Sequence, residues 1–136
     1  MSLESTSSRK VKLSECPCQS GLTYEKCCQI LHDGGKVKSA EALMRSRYSA
    51  FVLDLPKYLL ATWHSETRPE TIESDPNIKW FNLRILSDEG ENALGEQFVT
   101  YEARFREGGK AHKFKERSRF VVEKGRLVYI DGDFLV

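Results

Sequence analysis

The chain has 136 residues, 40% hydrophobic and 30% charged, which is the balance of one ordinary folded domain or of a small domain with a short appendage. Twenty-one Lys and Arg against 20 Asp and Glu leave a net charge of +1, which excludes strong general attraction to nucleic acid or to an anionic membrane. No apolar run approaches the ~20 residues of a membrane span. The first residues also lack the apolar stretch of a secretory signal, so a cytoplasmic location with reduced thiols is expected.

Residues 1–8 are rich in Ser and Thr and aperiodic, and a flexible tail is expected over 1–12. All four cysteines then fall between Cys16 and Cys28 in the spacing C-x-C-x8-C-C. Pro17 restricts a first turn, and Ser20-Gly21 supplies a second. Residues 24–31 are predicted to form a short helix, capped by Thr23, that presents Cys27 and Cys28. The unit spans 13–35 and closes at Gly34-Gly35, read as a helix stop and hinge.

Four soft thiolates within thirteen residues match the tetrahedral sulfur site that zinc prefers. Cys16, Cys18, Cys27 and Cys28 are therefore the expected ligands of one structural Zn2+ per chain. Four thiolates fill the shell and leave no open catalytic position. So few residues bury too little core to fold alone, and a structural zinc contributes roughly 10 kcal/mol or more. Adjacent cysteines bridge poorly, which counts against a disulfide framework. The alternatives are free buried thiols, a redox pair or a partial disulfide. His32, one helical turn beyond Cys28, is either a substitute fourth ligand or a solvated helix-end residue.

The remainder, 36–136, contains no cysteine and reads as a second unit. Ser39 is a helix cap. Ala40–Leu53 follows with Leu43, Met44, Arg47, Ala50 and Phe51 on one face. Pro56 starts another helix carrying Tyr58, Leu59, Thr62 and Trp63, which fades at Ser65. Residues 65–77 read as a loop. The period then changes to two. Strands are predicted over 80–87, Gln97–Glu107, Lys110–Glu123 and 126–131. Turns are expected at Asp88, Glu89 and Gly90, at Gly108-Gly109, and at Gly125. Helices followed by antiparallel strands read as α+β, a cone-like domain of helices packed on a curved antiparallel sheet.

Alternation along the third strand puts His112, Phe114, Glu116, Ser118 and Phe120 on the inward face and Lys113, Lys115, Arg117 and Arg119 outside. A carboxylate among apolar side chains needs a partner, and Arg47 on the first long helix is the expected one. Two readings follow. In one, an Arg47–Glu116 ion pair locks helix to sheet, and Ser118 is a satisfied core hydroxyl. In the other, Arg47, Trp63, His112, Glu116 and Ser118 line a small-molecule pocket, with His112, Glu116 and Asp131 as acid–base groups. Asp131 shares the parity of Leu127 and Tyr129. Trp63, Trp80, Phe81, Tyr48 and Tyr101 read first as core aromatics. No phosphate-cradling glycine loop or nucleophile elbow is present.

The run from Cys16 to Cys28, CPCQSGLTYEKCC, resembles the SEC-C motif, a zinc-binding element known at the C-terminus of the protein-export ATPase SecA. The pattern C-P-C-G-S-G-x-x-[YF]-x-x-C-[CH] is met at every ligand and departs at Gln19, where glycine is usual. The residues from Ala40 to Phe51, then Tyr58, Thr62, Trp63, His64, Trp80, Phe114, Glu116, Ser118, Phe120 and Tyr129 to Gly132, resemble the YchJ family of small bacterial proteins. The resemblance implies a SEC-C element joined to a cone-shaped domain similar to nuclear transport factor 2, a cystatin-like fold. In SecA the element engages a chaperone and ribosomes, so the resemblance implies an adaptor or binding module for a protein or ribosomal partner. Membrane and nucleic-acid partners are not expected, and the sheet face of such cones is compatible with a homodimer. The alternative function is a small-molecule binder or a lyase- or isomerase-type enzyme using the cone cavity.

Overall fold

The structure is a computed structural model describing residues 15–135. The tail expected over 1–12 lies outside the described residues. A 3₁₀ turn at Tyr24–Lys26 leads into α1 (Cys28–His32), followed by α2 (Ala40–Leu53) and α3 (Pro56–Ala61). Four strands complete the chain: β1 (Ile78–Glu91), β2 (Gln97–Glu107), β3 (Lys110–Glu123) and β4 (Arg126–Leu135). They form one antiparallel meander in the order β1-β2-β3-β4. No described helix is long and apolar enough to cross a membrane.

The α2 boundary follows the sequence: Ser39 Oγ accepts from the Ala42 amide at 3.0 Å, a side-chain N-cap. Pro56 occupies the first turn of α3, where its missing N–H costs nothing. That helix ends at Ala61, short of the expected Ser65. The next residues leave helical geometry to pair with β4: the Tyr129 amide donates to Thr62 O and the His64 amide to Tyr129 O.

One turn is displaced from its expected place. β1 runs through Asp88, which pairs with Val99, and through Glu89 and Gly90, which form a bulge, and the chain reverses at Asn92 instead. Asn92 Oδ1 accepts from the amides of Leu94 and Glu96, both at 2.9 Å, so a local side-chain acceptor outcompetes the glycine signal. At the β2–β3 hairpin the sequence reading holds. Gly108 and Gly109 both take positive φ (60° and 81°), the geometry that makes a tight turn follow the twist of its strands.

One extra residue in β4 decides the face of everything after it. Phe120 pairs with Tyr129 and Arg119 with Asp131, so Ile130 is a bulge. Side-chain parity therefore reverses. Gly132 and Phe134 stand opposite Ser118 and Glu116, whereas Asp131 stands opposite Arg119 on the outer face. The sequence reading that put Asp131 with Tyr129 is corrected: its carboxylate takes a two-point contact from Arg119, 2.8 and 2.6 Å. Arg119 also reaches Glu96, and Arg117 reaches Glu89, so the outer face of β3 is a lattice of opposite charges.

The core is continuous from the cysteine segment into the sheet. Cys16, Cys18 and Cys28 belong to the same buried cluster as Leu43, Met44, Tyr48, Leu83, Val99, Ala103 and Phe120.

Candidate metal centre and cone cavity

The 15–35 segment is a knuckle. The Cys16 amide donates to Leu22 O at 2.9 Å, and Glu15 bridges Thr23, closing a tight loop. The helix expected over 24–31 is broken at Cys27, whose backbone (φ −132°, ψ −112°) interrupts the 3₁₀ turn before α1 begins. The reason is geometric. Adjacent residues on one helix point about 100° apart, so Cys27 and Cys28 cannot both face one point from it. Leaving the helix lets Cys27 turn inward.

All four sulfurs then lie within 4.8 Å of one another, with Cys18 and Cys27 3.6 Å apart. A tetrahedral metal with bonds of ~2.3 Å needs sulfurs ~3.8 Å apart, so the donor set fits such an ion in both chemistry and spacing. Hydrogen bonding to Cys16 and burial push the Cys18 thiol up to about 11 and raise Cys28 as well, while the hydrogen bonds from Cys18 and Cys28 lower Cys16, so one thiolate is favoured and its neighbours are not. Without a cation the cluster resists carrying four thiolates; a bound divalent ion reverses that balance.

A second layer holds the sulfurs. Ser49 of α2 donates from Oγ to Cys28 Sγ at 3.3 Å and lies 3.6 Å from Cys16 Sγ. Ser20 Oγ is 3.2 Å from Cys27 Sγ. Arg45 Nη1 donates to Cys18 O at 2.8 Å. Helix periodicity marks Ser46 and Ser49 as polar, hence solvated, yet both are fully buried because α2 has two covered faces, one on the sheet and one under the knuckle. The signal that finds them is a small hydroxyl three residues apart on a helix next to a thiolate cluster.

His32 is neither ligand nor solvated end. Its Nε2 donates to Ser46 O at 2.8 Å, which leaves Nδ1 to accept from the Tyr24 hydroxyl at 2.7 Å. Both nitrogens bolt the knuckle to α2, and the ring stands edge-on to Tyr58. The pair of glycines after α1 therefore stops the helix within a docked segment. Gln19 sits at φ +65°, a conformation that suits glycine, and its side chain donates to Phe81 O at 2.9 Å, tying the knuckle to β1.

A cavity of ≈ 210 Å³ lies between α2 and the sheet. Arg47, Trp63, Glu116 and Ser118 line it; His112 does not. His112 is exposed and stacks on Phe105 (5.2 Å, 26°), because the β2–β3 hairpin projects beyond the helices that cover the sheet.

The expected Arg47–Glu116 ion pair does not form. Glu116 Oε1 accepts from the Tyr101 hydroxyl (2.6 Å) and Ser118 Oγ (3.0 Å), and Oε2 accepts from the Tyr129 hydroxyl (2.8 Å). Three O–H donors from three strands satisfy the carboxylate without a cation. Burial, and then the adjacent carboxylate, raise both tyrosine hydroxyls well above their usual range. The Glu116 side chain lies against Gly132, where an added Cβ would come within 2.6 Å of its carboxyl carbon. Only glycine leaves room. Arg47 instead donates from Nη1 to Leu59 O (2.9 Å) and Thr62 Oγ1 (2.6 Å). Its guanidinium lies over the rings of Trp63 and Tyr129, 5.0 and 4.7 Å from their centroids.

Comparison with known proteins agrees with both parts. Residues 14–30 match the SEC-C motif, and residues 39–132 match the family described as YchJ, middle NTF2-like domain. A UPF0225 protein of Streptomyces coelicolor is 47% identical over 126 residues, covering 88% of this chain and 95% of that protein. A UPF0225 protein of Bordetella pertussis is 43% identical, covering 87% and 91%. The solution structure of a SEC-C motif containing protein from Rhodopseudomonas palustris superposes with a TM-score of 0.77 at 33% identity, over 89% of this chain and 98% of that one. The crystal structure of a SEC-C motif containing protein from Psychrobacter arcticus gives 0.69 at 26%, over 89% and 80%. With a sulfur knuckle at one end, a hydroxyl-caged glutamate at the heart of the sheet and relatives that span nearly its whole length, the chain belongs to the YchJ (UPF0225) family.

Proposed function

We propose that this protein is a cytoplasmic binding module whose knuckle, held by one structural Zn2+, presents a rigid surface to a protein or ribosomal partner. The observation that carries the reading is the outer side of the knuckle. Leu22 and Ile30 are about half exposed there (52% and 53%), unusual for large apolar residues on so small an element. They border a groove whose charged lining is basic: Lys26, Lys36, Lys38 and Arg45. Since the whole chain is nearly neutral, this local excess favours an acidic partner segment that also offers an apolar anchor. Zinc is the ion we infer, because four thiolates in a closed shell are the donor set of a structural zinc site.

Metal analysis of the untagged protein tests the first half: one zinc per chain is expected, with thiols unreactive until a chelator is added. Cosedimentation with purified ribosomes, and crosslinking in cells, test the second. Wild type is expected to engage a partner that both Ile30→Asp and Cys18→Ser release. Partner binding unchanged in both variants would overturn the adaptor reading. The lyase or isomerase alternative gains no support from the cavity, where both Glu116 oxygens are occupied and His112 lies elsewhere.

A further inference from the structure

The cone cavity contains a charge that the protein solvates only on one side. Arg47 is 6% exposed, and both of its hydrogen bonds leave from Nη1 to neutral acceptors. A guanidinium has five N–H donors, so Nε and Nη2 keep three without a protein acceptor among the described residues. These atoms are not sealed in dry packing: the fully enclosed, unpartnered side-chain polar atom among the described residues is Thr23 Oγ1, and Arg47 lines the cavity. Its free edge therefore opens on that space. No carboxylate lies within 4.0 Å of it among the described residues, and burial lowers it to about 10, the mark of a cation lacking a close counter-charge. Glu116, held by three hydroxyls, stays beyond ion-pair distance and acts on the guanidinium only as a weaker, longer-range charge.

The rest of the wall is apolar and largely aromatic, including Trp80, Phe114 and Phe134. Phe134 is 74% exposed and Phe51 43%, although both line the cavity, so they stand at its mouth. Arg47 lies against the rings of Trp63 and Tyr129, which line the cavity with it. The volume of ≈ 210 Å³ exceeds the roughly 150 Å³ that holds a benzene molecule, and leaves space for one small polar group beside a ring.

We propose that the cone cavity binds a small organic acid, with a single-ring or branched aliphatic body among the aromatic side chains and its carboxylate on the free edge of Arg47. A planar carboxylate matches the guanidinium fork, and the pairing strengthens where water is excluded. Nη1 is already anchored, so the fork is positioned before the ligand arrives. The site is independent of the knuckle.

The test uses the full-length, metal-loaded chain and NMR titration. Its only two tryptophans, Trp63 and Trp80, both line the cavity, so their indole N–H signals are built-in reporters. Isovalerate, benzoate and phenylacetate are titrated against the neutral benzyl alcohol and isovaleramide. At least one acid is expected to shift both indole signals saturably, with a dissociation constant of roughly 1 mM or tighter. Its neutral counterpart should bind about ten-fold more weakly or worse. Arg47→Met should erase that preference. Equal binding of acid and neutral analogue, or no saturable shift with any acid, would overturn the proposal on wild type alone, whether or not Arg47→Met folds. A folded Arg47→Met that keeps the preference would overturn it as well.

Discussion

The knuckle and the cone satisfy their buried polar groups by opposite means. In the knuckle, four sulfurs converge on one point and the surrounding serines only adjust them, so a single ion can decide whether the segment has a fold. In the cone, Glu116 is held by hydroxyls from three strands, and no external charge is needed. The lesson is that a charged group can be buried by a cation or by a ring of neutral donors. The two solutions fail differently: the first when an ion leaves, the second when a neighbour changes shape. The two regions still share one core through α2, which bears Ser49 on the knuckle side and Met44 and Arg47 on the cavity side.

The strongest way to break the comparison is to remove the metal. Chelation, or Cys18→Ser, is expected to abolish amide-exchange protection across 15–35 while β2 and β3 keep theirs, since metal binding supplies ~10 kcal/mol to such elements. Loss of protection in both regions together would show that the cone depends on the ion. Next in size are changes at the glutamate. Gly132→Ala drives a methyl into the Glu116 carboxyl and should cost roughly 2–3 kcal/mol in urea denaturation, as overpacking does. Glu116→Leu strands three hydroxyls and is expected to cost about 2–4 kcal/mol, whereas Glu116→Gln keeps an acceptor and should cost about 1 kcal/mol. If Leu and Gln cost the same, the hydroxyl cage is not what holds the side chain.

Smaller effects sharpen the boundary between the regions. His32→Phe removes both bolts to Tyr24 and Ser46 but keeps an aromatic edge; about 1–2 kcal/mol of stability should be lost, with chelator sensitivity increased. Gln19→Ala loses the bond to Phe81 O and keeps a left-handed backbone, so about 1–2 kcal/mol is expected, while Gln19→Gly relieves the backbone and should be close to neutral. The smallest effect is on the outer sheet face. Arg119 holds the Asp131 carboxyl below its ordinary range, so the stabilisation is present above that range and is lost as pH falls through the lowered value. Arg119→Gln should flatten this acid limb, and added salt should do the same to the wild type.

Much of this was legible in the residues. The ligand spacing, the Ser39 cap, two strand boundaries and the inward face of β3 follow from rules that act over a few positions. What escaped the reading depends on distant neighbours. Glu116 on an apolar face demands a partner, but the sequence does not say that Tyr101 and Tyr129 will arrive before Arg47. Periodicity assigns α2 one buried face; only the docked knuckle gives it another, and with it the buried serines. The Asn92 turn beat the Gly90 signal because the Asn92 side-chain acceptor, together with Gly95 at positive φ, closed the loop. His112 has the right parity and lies beyond the covered part of the sheet.

The Ile130 bulge gives β4 a counting rule. Up to Tyr129 odd positions face the cavity, and from Gly132 even ones do. Deleting Ile130 would leave both faces as they are, but straightening the strand with every residue kept would set Ile130 opposite Arg119 and exchange Gly132 and Phe134 for Asp131 and Asp133 on the inner wall. Two carboxylates would then crowd Glu116, and the aromatic mouth would turn to solvent. The bulge, rather than the residue count, therefore decides which side chains reach the interior, and alignments that slide a gap across it would pair residues from opposite faces.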